Sequence, residues 1–106
     1  MVKEQTCTVI VSDRAKRMLA SHIRFLANVS KDAATEKKTQ RIREIHSLSK
    51  LPHRYPFFEA DFMLANKYRK MFVANWYLIL YQIQDDMVHV DYILDCRKDY
   101  GWLLQA

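Results

Sequence analysis

The sequence predicts an α+β domain in which a helical hairpin packs on one face of a small, curved, mainly antiparallel four-stranded sheet, in chain order β-α-α-β-β-β. Three observations lead there. Residues 66–100, NKYRKMFVANWYLILYQIQDDMVHVDYILDCRKDY, concentrate aromatic and apolar side chains and read as a three-strand meander. Residues 13–49 instead repeat apolar side chains at three- and four-residue spacing, the period of a helix with one buried stripe. Both prolines, Pro52 and Pro56, fall between these regions, where they remove backbone donors and mark a connection.

The short β-branched run from Cys7 to Val11 is the opening strand, and Ser12 or Asp13 can cap the helix that follows. In that helix Ala15, Met18, Leu19, Ile23 and Leu26 form the inward stripe, while Arg14, Lys16, Arg17 and Arg24 face away. His22 lies on or beside the stripe with no acidic or cysteine neighbour, so it reads as a packed histidine. Ser30 and Asp32 are candidate caps for a second helix from about Ala33 to Ser49, with Ala34, Ile42, Ile45 and Leu48 inward and Lys37, Lys38, Arg41 and Arg43 largely outward. Leu51 to Phe58 is a connection with His53 and Arg54 as exposed polar groups, and residues 59–65 fit either a helical turn or an extended lead-in.

The meander opens with Tyr68 to Val73, turns at Ala74-Asn75, and continues through a strand from Trp76 to Ile83 that is apolar on both faces and therefore central. Gln84-Asp85-Asp86 supplies the next turn. In the last strand Val88, Val90, Tyr92 and Leu94 alternate with His89, Asp91 and Asp95, and Ile93 alone breaks the period of two. The chain then exits through Arg97-Lys98-Asp99-Tyr100 into an apolar tail at Trp102.

One hundred and six residues suit a single domain spanning 1–106. A formal net charge of +5 favours anionic partners such as nucleic acid or an acidic protein segment. Cys7 and Cys96 are isolated, which fits reduced thiols in a cytoplasmic protein. The N-terminal apolar run is too short for a signal peptide, and no stretch reaches the roughly 18 apolar residues of a membrane span. A single glycine builds neither a dinucleotide fingerprint nor a phosphate loop, and no spacing of His, Cys and carboxylates suggests a metal site, so no cofactor is expected. What stands out is cationic. Lys67, Arg69 and Lys70 lie in the first meander strand, Arg97 and Lys98 follow the last, and tyrosines interleave with them. Alternation puts Lys67 and Arg69 on one face of the strand and Lys70 on the other with Tyr68. Such a set can grip phosphates and stack bases, or bind the carboxylates of a partner chain.

The order strand-helix-helix-meander, the opening VSDRAKRML, Tyr68-Arg69, the segment from Tyr77 to Tyr81 and the closing Arg97-Lys98-Asp99 resemble the RelE/ParE superfamily of toxin-antitoxin toxins. The resemblance spans nearly the whole chain. It implies a small basic cytoplasmic toxin neutralised by an acidic antitoxin, with Lys67, Arg69, Lys70, Tyr81, Arg97, Lys98 and Trp102 as partner-binding residues. Two activities divide the superfamily. RelE-like members cut mRNA on the ribosome, for which Lys67, Arg69, Arg97, Lys98 and Tyr100 would be the catalytic set here. ParE-like members poison DNA gyrase by binding. The arginine that nuclease members place after the first tyrosine of the middle strand falls on Leu78, and the tail has Trp102-Leu103-Leu104 where a Tyr or His is expected. Losing one such preorganised charge costs on the order of a hundredfold in rate. The expectation is therefore a ParE-like toxin directed at gyrase, with an mRNA endoribonuclease and a non-toxic interaction module as the alternatives. The open sheet face and the tail at Trp102 also offer a surface for a homodimer when no antitoxin is present.

Overall fold

The computed structural model describes residues 6–59, 66–73 and 77–96. Strand β1 (Thr8–Val11) leads into helix α1 (Asp13–Ala27), helix α2 (Lys31–His46), strand β2 (Phe57–Phe58), and the meander β3 (Tyr68–Val73), β4 (Tyr77–Gln84) and β5 (Met87–Asp95). The sheet order is β1-β5-β4-β3-β2. Every pair is antiparallel except β1 with β5, which the helical hairpin makes parallel by carrying the chain across the sheet.

Both helix starts are built as the sequence suggests. Ser12 Oγ accepts from Ala15 N at 3.0 Å, and Ser30 Oγ accepts from Ala33 N at 3.2 Å. Each satisfies one amide that the helix itself leaves unpaired. The hairpin covers one sheet face: Ala15, Ile45 and Leu48 pack with Met71, Tyr77, Ile79, Tyr81, Val88, Val90 and Ile93. On the opposite face Tyr68, Leu78, Leu80 and Leu94 form a second buried cluster, joined by Phe58, Tyr92 and Cys96. Among the described residues, Lys70 and Phe72 of β3 are exposed on that face.

Three expectations are corrected. Among the described residues the sheet has five strands, because the connection after Pro56 pairs Phe57 with Arg69 and Phe58 with Tyr68. The prolines do not prevent this, since β2 is an edge strand whose outer side needs no donors, and the Pro56 carbonyl still accepts from Lys70 N at 2.9 Å. In β5, Leu80 pairs with Tyr92 but Tyr81 pairs with Val90, which leaves Asp91 as the extra residue of a bulge. The bulge exchanges the faces. Val88 and Val90 point to the helices, and beyond Asp91 it is Ile93 that continues this face while Tyr92 and Leu94 turn to the other.

The third correction concerns α2, whose buried stripe contains Arg41 and not Ile42. Ala34, Arg41 and Ile45 are the buried residues of the helix, followed by Leu48 in the next turn, a spacing of seven, four and three. Ile42 is 39% exposed. Arg41 is tolerated inside because Glu44, one turn along, takes its guanidinium with two contacts of 2.7 and 2.8 Å. The guanidinium carbon also lies 4.9 Å from the centroid of the Tyr77 ring. Among the described residues its Nη1 has no hydrogen-bond partner, and the ring face offsets part of the desolvation. His22 is buried on the same side of the sheet, its ring centroid 5.6 Å from that of Tyr77.

Arg41→Ala removes the ion pair and opens a void under Tyr77, and the expected loss is about 2 kcal/mol or more of unfolding free energy. Arg41→Met keeps most of the volume and is expected to cost less than about 1 kcal/mol. Urea denaturation midpoints of the two variants check the order.

Candidate functional site

Arg69 and Tyr81 are cross-strand partners on the helix-side face, and both reach back to the connection that follows α2. Arg69 Nη1 donates to the Tyr55 carbonyl at 2.6 Å and the His53 carbonyl at 3.2 Å, and its guanidinium carbon lies 4.1 Å from the Phe57 ring centroid. The Tyr81 hydroxyl donates to the Pro52 carbonyl at 2.6 Å, and its ring meets that of Tyr55 edge to face at 6.5 Å. Burial pushes the Tyr81 phenol up to about 12, partly opposed by the nearby Arg69 charge. These contacts hold a segment with few backbone bonds of its own. Leu51, at its start, has φ 48°, a left-handed conformation that is costly for a residue with a branched side chain.

The other cations of β3 do not join Arg69. Lys67 sits in the turn before the strand, with its ammonium 5.4 Å from the Tyr68 ring centroid. Lys70 is exposed on the opposite face, in register with Leu80. Arg97, Lys98, Tyr100 and Trp102 lie outside the described residues. The register nevertheless fixes where β5 ends: Asp95 pairs with Tyr77, four residues along β4 from the Tyr81 beside Arg69, or roughly 13 Å at strand rise. Leu78, at the position where the nuclease pattern carries an arginine, is 5% exposed within the cluster of Tyr68, Leu80 and Leu94. It is a packing residue.

The sequence reading missed a groove between the helices. Leu19, Ile23, Ile42 and Ile45 give it an apolar floor, and Lys16, Arg24, Lys38 and His46 line it as well, around a volume of about 580 Å³. Ile42, expected inward, belongs to this second apolar strip of α2 and not to the core. Phe25 and Val29, exposed by 55% and 82%, add apolar surface near the end of α1. A concave apolar floor bordered by cations is shaped for an amphipathic segment carrying acidic residues.

Among the described residues no group of His, Cys, Asp and Glu could hold a metal ion, and no helix is long and apolar enough to cross a membrane.

No family model matches the chain, and no curated protein matches it. Among solved structures it is similar to a chain of the chromosomal ParDE TA (toxin-antitoxin) system from P. aeruginosa, with a TM-score of 0.70 and 8% identity, over 86% of this chain and 97% of that one. The likeness shows that this chain shares the fold of that ParDE chain.

Because the folded state holds the Tyr81 phenol neutral above its ordinary range, its contribution to stability is fully present below pH ~10 and is lost as pH rises toward about 12. Tyr81→Phe deletes the bond to Pro52, with an expected cost of about 1 kcal/mol at neutral pH. The stability difference between the two proteins is expected to shrink across that alkaline window, measurable by urea denaturation at a series of pH values.

Proposed function

We propose that this protein is a ParE-like toxin of a toxin-antitoxin system that acts by binding its target, DNA gyrase, and is neutralised by an acidic antitoxin. The observation that carries this reading is the fold likeness to the ParDE chain across nearly the whole domain. Two features of the site favour binding over strand cleavage. Arg69 is occupied with the carbonyls of His53 and Tyr55, and Leu78 puts an interior apolar side chain where the nuclease pattern needs a cation. Phosphoryl chemistry without a metal depends on several cations aimed at one phosphate. In the described part of the sheet, Lys67, Arg69 and Lys70 diverge.

The groove between α1 and α2 is where the antitoxin segment docks in this reading. Its apolar floor accepts a stripe of aliphatic side chains, and Lys16, Arg24 and Lys38 complement carboxylates on the segment's flanks. The net charge of +5 accelerates the encounter with an acidic chain.

In a supercoiling assay the purified protein is expected to inhibit gyrase, and the acidic protein encoded beside it is expected to relieve that inhibition. Ile42→Asp places a charge in the groove floor and is expected to weaken the antitoxin complex about tenfold or more while leaving gyrase inhibition intact. Isothermal titration checks the first effect. Unimpeded supercoiling at micromolar excess, with codon-phased cuts in translated mRNA on induction, would replace this reading with an endoribonuclease.

A further inference from the structure

A second cavity, of about 330 Å³, lies between the start of α1 and the bulge of β5, lined by Ser12, Arg14, Arg17, Tyr68 and Asp91. Its size falls at the lower end of the range that holds small ligands. Arg14 and Arg17 are one helical turn apart and therefore on the same side of α1. Both are exposed, and neither has an ion-pair partner among the described residues. The Arg14 guanidinium carbon lies 4.7 Å from the centroid of the Tyr92 ring, and Tyr92 meets Tyr68 edge to face at 5.7 Å. Lys67, over the Tyr68 ring, brings a third cation to this side of the sheet.

Asp91 gives the cavity a second chemical character. As the bulge residue it is out of the ladder, and its Oδ2 accepts from the Tyr68 hydroxyl at 2.9 Å and from Gln82 Nε2 at 2.8 Å. Its backbone carbonyl accepts from Ser12 Oγ at 3.2 Å, so the residue as a whole is tied to three elements and its carboxylate to two. Its Oδ1 carries no hydrogen bond among the described residues. Burial and the bond to Asp91 raise the Tyr68 pKa well above the ordinary phenol range, so that hydroxyl stays a donor. A bare anion would meet two arginines and also a fixed carboxylate. A ligand carrying both an anionic group and hydrogen-bond donors satisfies each.

We propose that this cavity binds a nucleoside 5′-monophosphate, with the phosphate on the forks of Arg14 and Arg17 and donors on the Watson-Crick edge of the base at Asp91. Guanidinium groups pair with two phosphate oxygens at once, and the Watson-Crick edge of guanine presents N-H donors to the open Oδ1 of Asp91. Of the amides at the start of α1, that of Ala15 is taken by Ser12 Oγ. The site is separate from the groove between the helices and from Arg69. It does not depend on the toxin reading.

The test is isothermal titration of the purified full chain with guanosine 5′-monophosphate, guanosine, ribose 5-phosphate and inorganic phosphate. The nucleotide is expected to bind saturably and about tenfold or more tighter than each fragment. Arg14→Ala and Arg17→Ala are each expected to weaken it about tenfold, and Asp91→Asn to weaken the nucleotide while leaving inorganic phosphate unchanged. Ribose 5-phosphate binding as tightly as the nucleotide would remove the contact at Asp91, and that comparison needs no variant. A 5′-phosphorylated guanine tetranucleotide, set against its 5′-hydroxyl form, separates a strand end from a free nucleotide as the source. Absence of saturable nucleotide binding at millimolar concentration, or binding indifferent to Arg14→Ala and Arg17→Ala in folded variants, overturns the proposal.

Discussion

The structure depends on one strand being dry on both sides. Tyr77, Leu78, Ile79, Leu80 and Tyr81 are each no more than 5% exposed, and β4 pairs along its length with β3 and β5. Its alternate residues feed two clusters, one under the helices and one on the opposite face. A strand in this position cannot shift by one residue without exchanging Tyr77, Ile79 and Tyr81 for Leu78 and Leu80. That constraint sets the register of β3 and β5 and, through them, where each cation of the sheet stands.

The bulge at Asp91 follows from the same constraint. Val88 and Val90 need the helix-side face, and so does Ile93, yet an unbroken strand would send Ile93 to the other side. One extra residue resolves the conflict. The cost is a peptide out of the ladder, and it is offset locally by Ser12, Tyr68 and Gln82, which tie β1's exit, β3 and β4 to the irregular point. The cavity beside it therefore has walls from rigid elements. That is the condition under which a polar constellation keeps its geometry.

Much of the fold was legible because its signals are local. Ser12 and Ser30 cap through their own hydroxyls, Tyr68 to Val73 forms the strand expected there, and Asp85 takes the left-handed conformation, φ 57°, that its short polar side chain tolerates in a turn. The misses are cases where a partner outside the local pattern changes the meaning of a residue. Arg41 reads as an outward cation until Glu44 and the Tyr77 ring are placed around it. Ile93 reads as a flaw in an alternation until Asp91 is seen to be the extra residue. Phe57 and Phe58 follow a proline and look like loop, and only the uncovered edge of β3 makes them a strand. The site was less legible than the fold. Arg69 and Tyr81 do come together, but the sequence did not show that the carbonyls of the connection after α2 would claim them.

A cation that serves chemistry on a phosphate must have its donors free and aimed at a common point, because transition-state charge is stabilised by groups that need no reorganisation. Arg69 spends Nη1 on two carbonyls and stacks its plane on Phe57. Its removal would release the segment around Pro52 and Tyr55 together with any charge it offers outward. The residue is thus coupled to the shape of the surface it stands on. Such coupling suits recognition of a macromolecular partner, where a rigid, preordered surface lowers the entropy cost of association. A change that re-aimed its guanidinium would also loosen the connection around Tyr55.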